Sequence, residues 1–344
     1  MLDDVSKIRK LDYDNTLEEV ARFPAQLRAA VPCEPRFATT SDVLNVVYAG
    51  MGGSALAALL VQTWPVMRVP FEVVRNYTLP SYVGEKTLVV IASYSGNTEE
   101  TISALYEAES KGAQIAVISS GGKLEELAKT RGYSLATLPK VIQPRFVVGY
   151  NYRALLGILQ SADLFWGDVG ELDEAADFLE AIAKELAPEV PTLHNPAKQL
   201  AEKCVGKSVV IYAGHKLAPA AYKWKIGFNE NAKQIAWCGI LPECDHNEIV
   251  GWLQRPEHEP YVVIDLHSSF EHPRIGKRFQ VTEALLAETR PAPLLIEAQG
   301  SDPLQHMLWA SLFGDYVTIY TALLNGENPA PIEIIEAFKK ALDS

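Results

Sequence analysis

Cysteine is scarce in this chain. There are four in 344 residues: Cys33, Cys204, Cys238 and Cys244. No two have Cys-x-x-Cys spacing, so neither a disulfide framework nor a zinc motif is indicated, and reduced thiols are expected. Positive charge is also in deficit. Lys and Arg number 31 against 43 Asp and Glu, a net charge of −12. That balance excludes a broad electrostatic surface for nucleic acid or for an anionic membrane. It leaves room for a small anion, because one helix terminus can outweigh the global charge. No uninterrupted apolar run of about 18 residues is present, so no membrane span is expected. The opening Met1-Leu2-Asp3-Asp4 has neither a basic nor an apolar leader region, so a cytoplasmic location is expected. Long charged tails are missing too, and no macromolecular partner beyond a second copy is expected.

What is present is ordinary core material. Hydrophobic residues make up 48% of the chain. The length suits roughly two domains of about 100–200 residues each. Short apolar runs alternate with helical patterns. Leu44–Tyr48, Phe71–Val74, Thr87–Ala92 and Gln114–Ile118 read as strands. Helices are expected from about Ser54 to Trp64 and from Asn97 to Lys111. Such alternation indicates βαβ units and a buried parallel sheet. The pattern then recurs. Val209–Gly214 echoes Asn45–Gly50, Tyr261–Leu266 echoes Thr87–Ala92, and Pro293–Glu297 echoes Gln114–Ile118. The expected fold is therefore α/β, with two tandem doubly wound parallel-sheet domains of flavodoxin-like type. The expected boundaries are 1–152, a helical connector 153–190, and 191–344. Pro329 and Pro331 precede a last helix, Ile332–Ala341.

Two strings carry chemistry. Tyr48-Ala49-Gly50-Met51-Gly52-Gly53-Ser54-Ala55 follows the first strand, and Ser93-Tyr94-Ser95-Gly96-Asn97-Thr98 follows the third. Each lies at a strand-to-helix turn, where unpaired N–H groups and the helix dipole favour an anion. Gly52 and Gly53 let the backbone approach closely. The hydroxyls of Ser54, Ser93, Ser95 and Thr98 can complete the coordination. Gly50-x-Gly52-x-x-Ala55 also fits a dinucleotide fingerprint, with Glu72 at the expected distance and strand end. A Rossmann site has no general need for the serine cradle; a phosphosugar does. The second copy has His267-Ser268-Ser269-Phe270-Glu271-His272 in place of the serine loop, which suggests that the first copy holds the anion. His215 stands where the first copy has Met51, facing either a cleft or the surface.

The serine loop resembles the signature of sugar isomerase (SIS) domains. Together with Phe228-Asn229-Glu230-Asn231-Ala232-Lys233, the run Leu241–Trp252 and Gln143-Pro144-Arg145, it identifies the chain as a member of the bifunctional phosphoglucose/phosphomannose isomerase family. The resemblance extends from about Val46 to Leu342. It implies a hexose 6-phosphate substrate, no cofactor, no metal, and a homodimer with shared active sites. It implies that Gly52, Gly53, Ser54, Ser93, Ser95 and Thr98 bind the phosphate. Glu230 matches the family's catalytic base, a role that suits a carboxylate raised by burial. His246 matches the ring-opening histidine, contributed across a dimer interface. Arg145 matches the arginine beside the developing enediolate. His306 stands where a basic residue near the substrate is expected; Lys339 and Lys340 read as solvent-facing charges. Cys244, Asp245, His246 and Glu248 fit no trusted zinc spacing.

Two other functions suit parts of the pattern. One is a SIS-type sensor that binds a phosphosugar without turnover, against which the lack of a DNA-binding extension counts. The other is an NAD(P)-dependent oxidoreductase built on the glycine fingerprint.

Overall fold

The apolar runs pair as parallel strands in two sheets. In the first, β1 (Asn45–Gly50), β2 (Phe71–Val74), β3 (Thr87–Ser93), β4 (Gln114–Ser119) and β5 (Ser134–Thr137) lie in the order 2-1-3-4-5. Val46 sits beside Phe71 on one side and Leu88 on the other. In the second sheet, β6 (Ser208–Ala213), β7 (Ala236–Ile240), β8 (Tyr261–His267) and β9 (Leu294–Glu297) lie in the order 7-6-8-9. Replacing each second-sheet strand by its counterpart returns 2-1-3-4, so the repeat in sequence is a repeat of topology. The first order is that of flavodoxin-like sheets. Strands β5 and β7 were not anticipated. Both are edge strands, and neither carries the continuous branched-chain run of a central one. The computed structural model describes residues 1–33, 43–254 and 260–342.

Helices follow the strands in matching places. α1 (Gly52–Leu60), α2 (Glu99–Ser110) and α3 (Gly122–Arg131) follow β1, β3 and β4. α4 (Ala218–Glu230), α5 (Pro273–Leu286) and α6 (Pro303–Leu324) follow β6, β8 and β9. In the first sheet Val47, Val89, Ile91 and Val117 are fully buried against Ala104, Leu105 and Ala108 of α2. In the second, Val210 and Val263 pack with Ile275, Phe279 and Leu286 of α5.

The chain divides into two compact units, Arg22–Phe178 and Met1–Ala21 with Leu179–Ser344. The expected boundaries at 152 and 190 do not match this division. The first 21 residues belong with the second half, and residues 153–178 with the first. One reason is Lys198, whose fully buried ammonium donates to the carbonyls of Leu2 at 2.7 Å and of Pro188 and Val190 at 2.8 Å. Three carbonyls around one buried cation form charge-assisted bonds, and removing the lysine would leave them without a donor.

The second unit is organised by α6. Among the described residues it is the one helix long and apolar enough to cross a membrane, and 94% of its most apolar stretch is buried inside the protein. The helix is not an uninterrupted apolar run, and its burial makes it part of the core. Buried hydroxyls interrupt its apolar run and bond within it: Ser311 to the carbonyl of Met307 and Thr321 to that of Val317, both at 2.8 Å. Its approach to α4 depends on small residues. A Cβ at Gly314 would overlap the Trp224 indole, and one at Gly227 would come 2.8 Å from the Thr318 hydroxyl. The Trp224 indole N–H donates to the carbonyl of Ala310 at 2.7 Å. Gly314→Ala should therefore cost about 1–3 kcal/mol through overpacking. Gly157→Ala should cost nothing or stabilise slightly, since that glycine lies in a helix and meets no atom within 4 Å. Urea midpoints of the two variants against the parent protein check the contrast.

Candidate active site

The connections from β1 and β3 diverge to opposite sides of the first sheet. The crevice between their carboxyl ends is the topological switch point, where open α/β sheets bind ligands. Both predicted strings lie there. Gly52, with φ of +49°, begins α1, and neither its N-cap Met51 nor Thr98 before α2 caps its helix with a side chain. The Ser54 N–H donates to the Met51 carbonyl at 3.0 Å, and no side chain caps the start of either helix, so both starts can face a ligand. The hydroxyls gather beside them. Ser93 Oγ lies 2.8 Å from Thr98 Oγ1 and 3.5 Å from Ser95 Oγ. Ser54 Oγ accepts the N–H of Tyr94 at 3.2 Å, which joins the two strings.

The cradle is locked from behind. Gly96 has φ of +71°, and a Cβ there would overlap the carbonyl of Gly121. Ser119 Oγ donates to the Ser93 carbonyl at 2.8 Å, and Asn97 Oδ1 accepts the N–H of Lys123 at 3.0 Å. The carbonyl of Ser54 accepts from Tyr48 at 2.6 Å and from Asn151 at 3.0 Å, fixing the start of α1. Arg145 lies beside this start: a Cβ on Gly53 would come within 3.0 Å of the Arg145 nitrogen. Arg145 is buried on the short turn Pro144–Phe146, with its guanidinium 4.9 Å from the Phe146 ring. The structure thus brings Gly52, Gly53, Ser54, Ser93, Ser95, Thr98 and Arg145 into one neighbourhood. Glu72 is not at the strand end expected of a ribose-binding acid. It pairs with Val47, three residues before the Gly50 turn, and accepts the Tyr82 hydroxyl.

The corresponding switch point of the second sheet, between β6 and β8, holds an anion of the protein's own. The Glu271 carboxylate accepts the N–H of Lys216 in the turn after β6. A Cβ at Gly214 would overlap that carboxylate. Burial pushes the Glu271 carboxyl up, and the backbone donors of Lys216 and Leu217 oppose the shift. His215 is exposed at this turn. His306 is buried in the first turn of α6. Its Nδ1 lies 3.0 Å from Ser268 Oγ and its Nε2 3.3 Å from the Gly300 carbonyl, with the ring edge-on to Phe270. Burial holds its pKa below the usual imidazole range, with the Gly300 bond and nearby carboxylates opposing. Sequence reading missed Glu271. Its only signal was a charged residue in the loop that replaces the serine cradle.

Glu230 closes α4. It is half-buried and lines a cavity of about 610 Å³ together with Lys10, Tyr13, Asn229, Lys233 and Glu333. Its neighbours are fixed. Asn229 Oδ1 accepts the N–H of Ala236 at 3.0 Å, and Asn231 donates to Thr318 at 2.9 Å. Lys233 donates to the carbonyls of Asn328 at 2.8 Å and Pro329 at 3.2 Å. His246 is exposed on the turn Glu243–His246, after the carboxyl end of β7. α4 runs back from the carboxyl edge of the sheet to its amino edge. Glu230 and His246 of one chain therefore stand at opposite edges, with β7 between them, about 16 Å of strand at ~3.3 Å per residue. Asp245 and Glu248 turn away from His246, toward Arg278 and Tyr212, so the three do not converge as ligands of one ion. Lys339 and Lys340 are exposed.

Residues 41–141 match the SIS domain, and residues 193–342 match the bacterial phospho-glucose isomerase C-terminal SIS domain. The chain is 34% identical to the bifunctional phosphoglucose/phosphomannose isomerase of Caldicellulosiruptor bescii, over 94% of this chain and 98% of that protein. It is also 35% identical to the D-glucosamine-6-phosphate 4-epimerase of Sulfolobus acidocaldarius, over 60% of this chain and 63% of that one. The fold resembles a glucose-6-phosphate isomerase like protein from Thermus thermophilus, with a TM-score of 0.68 and 19% identity over 98% of each chain. The chain belongs to the bifunctional phosphoglucose/phosphomannose isomerase family: it is a sugar-phosphate isomerase with two SIS domains.

Proposed function

We propose that this isomerase interconverts glucose 6-phosphate and mannose 6-phosphate with fructose 6-phosphate through a cis-enediol. The observation that carries this reading is the hydroxyl and N–H cradle at the first switch point, built in a chain of that family. Such a cradle suits a phosphate because it offers donors without a counter-charge that would have to be desolvated. Gly52, Gly53, Ser54, Ser93, Ser95 and Thr98 hold the phosphate. His246 moves a proton between the ring oxygen and the anomeric hydroxyl, opening the ring; imidazole titrates near neutral pH. Glu230 takes the proton from C1 of the ketose and returns it to C2. The Arg145 guanidinium stabilises the enediolate formed between these steps. Electrons are only redistributed within the sugar, so neither a redox cofactor nor a metal is required. Rotation about C2–C3 in the enediol lets C2 be reprotonated on either face, which gives both hexoses from one site. His306, with both ring nitrogens engaged, is assigned to joining the loops after β8 and β9.

The working form proposed is a homodimer. The separation of Glu230 and His246 across β7 supports it, since a second chain can set its His246 beside the first chain's Glu230. A cytoplasmic enzyme fits the four cysteines, none of which forms a disulfide.

Proton NMR with fructose 6-phosphate in deuterated buffer containing EDTA tests the reading. Glucose and mannose 6-phosphates deuterated at C2 are expected. Binding without any exchange would favour the sensor reading instead. Glu230→Gln should keep sugar-phosphate binding within about threefold while lowering exchange by about 10³-fold or more, the scale of losing an acid–base group; titration calorimetry beside the NMR assay separates the two effects. Ser93→Ala with Ser95→Ala should raise KM about tenfold or more and lower kcat less, because phosphate contacts persist from ground state to transition state. An unchanged KM in steady-state assays would remove the phosphate assignment.

A further inference from the structure

The run Leu241–Trp252 divides by direction. Glu243, His246, Asn247 and Val250 are exposed, whereas Cys244 and Trp252 are buried. Asp245 and Glu248 are the charged members that turn inward. Asp245 accepts Arg278 at 3.0 Å and Thr282 at 3.3 Å, both from α5. Glu248 accepts the Tyr212 hydroxyl of β6 at 3.0 Å, and that hydroxyl in turn accepts the Trp252 indole N–H at 2.9 Å. Burial pushes the Tyr212 hydroxyl well up, so it stays a donor. Gly239 of β7 leaves the space these groups use: a Cβ there would come 2.8 Å from Glu248 Oε2 and 2.7 Å from Tyr212 Cε1. The turn that carries His246 is thus held on both sides, two residues after it by Glu248 and one residue before it by Asp245.

We propose that Glu248 is a positioning residue for His246: the bond from Tyr212 fixes the turn from which the imidazole projects. The proposal rests on the assignment of ring opening to His246. A short helical turn has few bonds of its own, and an exposed imidazole on it is oriented only as well as the turn is anchored. The inward carboxylate supplies that anchor through an acceptor oxygen, not through its charge.

The test compares fructose 6-phosphate with 5-deoxyfructose 6-phosphate, which lacks the 5-hydroxyl and cannot close its ring. Deuterium exchange at C1 is read by NMR on the full-length protein. Glu248→Ala and Tyr212→Phe should each slow exchange of the cyclising substrate about tenfold, and the double variant should be little worse than either, as for residues acting through one bond. Glu248→Gln, whose amide oxygen still accepts the Tyr212 hydroxyl, should stay within about twofold of the parent. None of these should slow the 5-deoxy substrate. Equal loss on both substrates would show a general structural role and overturn the proposal. Loss in Glu248→Gln as large as in Glu248→Ala would overturn it differently, by showing that the charge acts. His246→Asn run alongside keeps the two levels apart. If it slows both substrates equally, the ring-opening reading falls and the proposal with it; if it slows only the cyclising one, the outcome rests on Glu248 alone.

Discussion

The structure depends on the divergence of two connections at the carboxyl end of the first sheet. Because β1 passes its chain to one side and β3 to the other, the first turns of α1 and α2 face one crevice. Helix N-termini hold partial positive charge in N–H groups that no residue of the helix can satisfy. Hydroxyls from Ser54, Ser93, Ser95 and Thr98 extend that donor set without adding a formal cation. A chain with a net charge of −12 can therefore present a local anion site. The surrounding glycines serve the same end. At Gly96 the left-handed backbone and the lack of room beside Gly121 exclude any side chain.

Duplication gave the second sheet the same crevice and a different occupant. There the Glu271 carboxylate accepts the Lys216 N–H, whereas no side chain caps the corresponding helix start of the first copy. A covalently tethered carboxylate needs no binding entropy to be repaid, so it satisfies the donors at all times. The second unit is left with its amino-edge cavity, where Glu230 stands, and with the exposed turn of His246 at the other edge. In the proposed mechanism these belong to sites completed by two chains. The path of α4 back along the sheet makes this arrangement natural, because a helix that crosses between parallel strands must end at the edge opposite to the one where it began.

The central strands and the glycine- and hydroxyl-rich turns that follow β1 and β3 were legible from sequence because their signals are local. A buried parallel strand is a continuous apolar run, and a strand-to-helix turn that must approach an anion needs glycine. Edge strands β5 and β7 escaped notice, since a strand with one neighbour need not be apolar throughout. α6 escaped too. It is buried on nearly every face, so it lacks the polar stripe by which a surface helix is recognised. Arg145, Glu230 and His246 were singled out only through the family resemblance. A half-buried glutamate at a helix end and an exposed histidine on a turn carry no local mark of their chemistry.

The amino-acid sequence by itself determined the alternation of strands and helices, the duplication, and the hydroxyl-rich loop. These follow from propensity, burial period and the geometry of short turns, which act over a few residues. Tertiary structure decided the rest. It placed the first 21 residues with the second unit, through contacts such as that of Lys198 with Leu2 across 196 residues. It set Glu271 into the second crevice and Glu248 against Tyr212. It also put Glu230 and His246 at opposite edges of one sheet, although they are only 16 positions apart. Each of these is a pairing of groups distant in sequence or reversed in direction. Such pairings are fixed by how elements pack, and no local pattern encodes them.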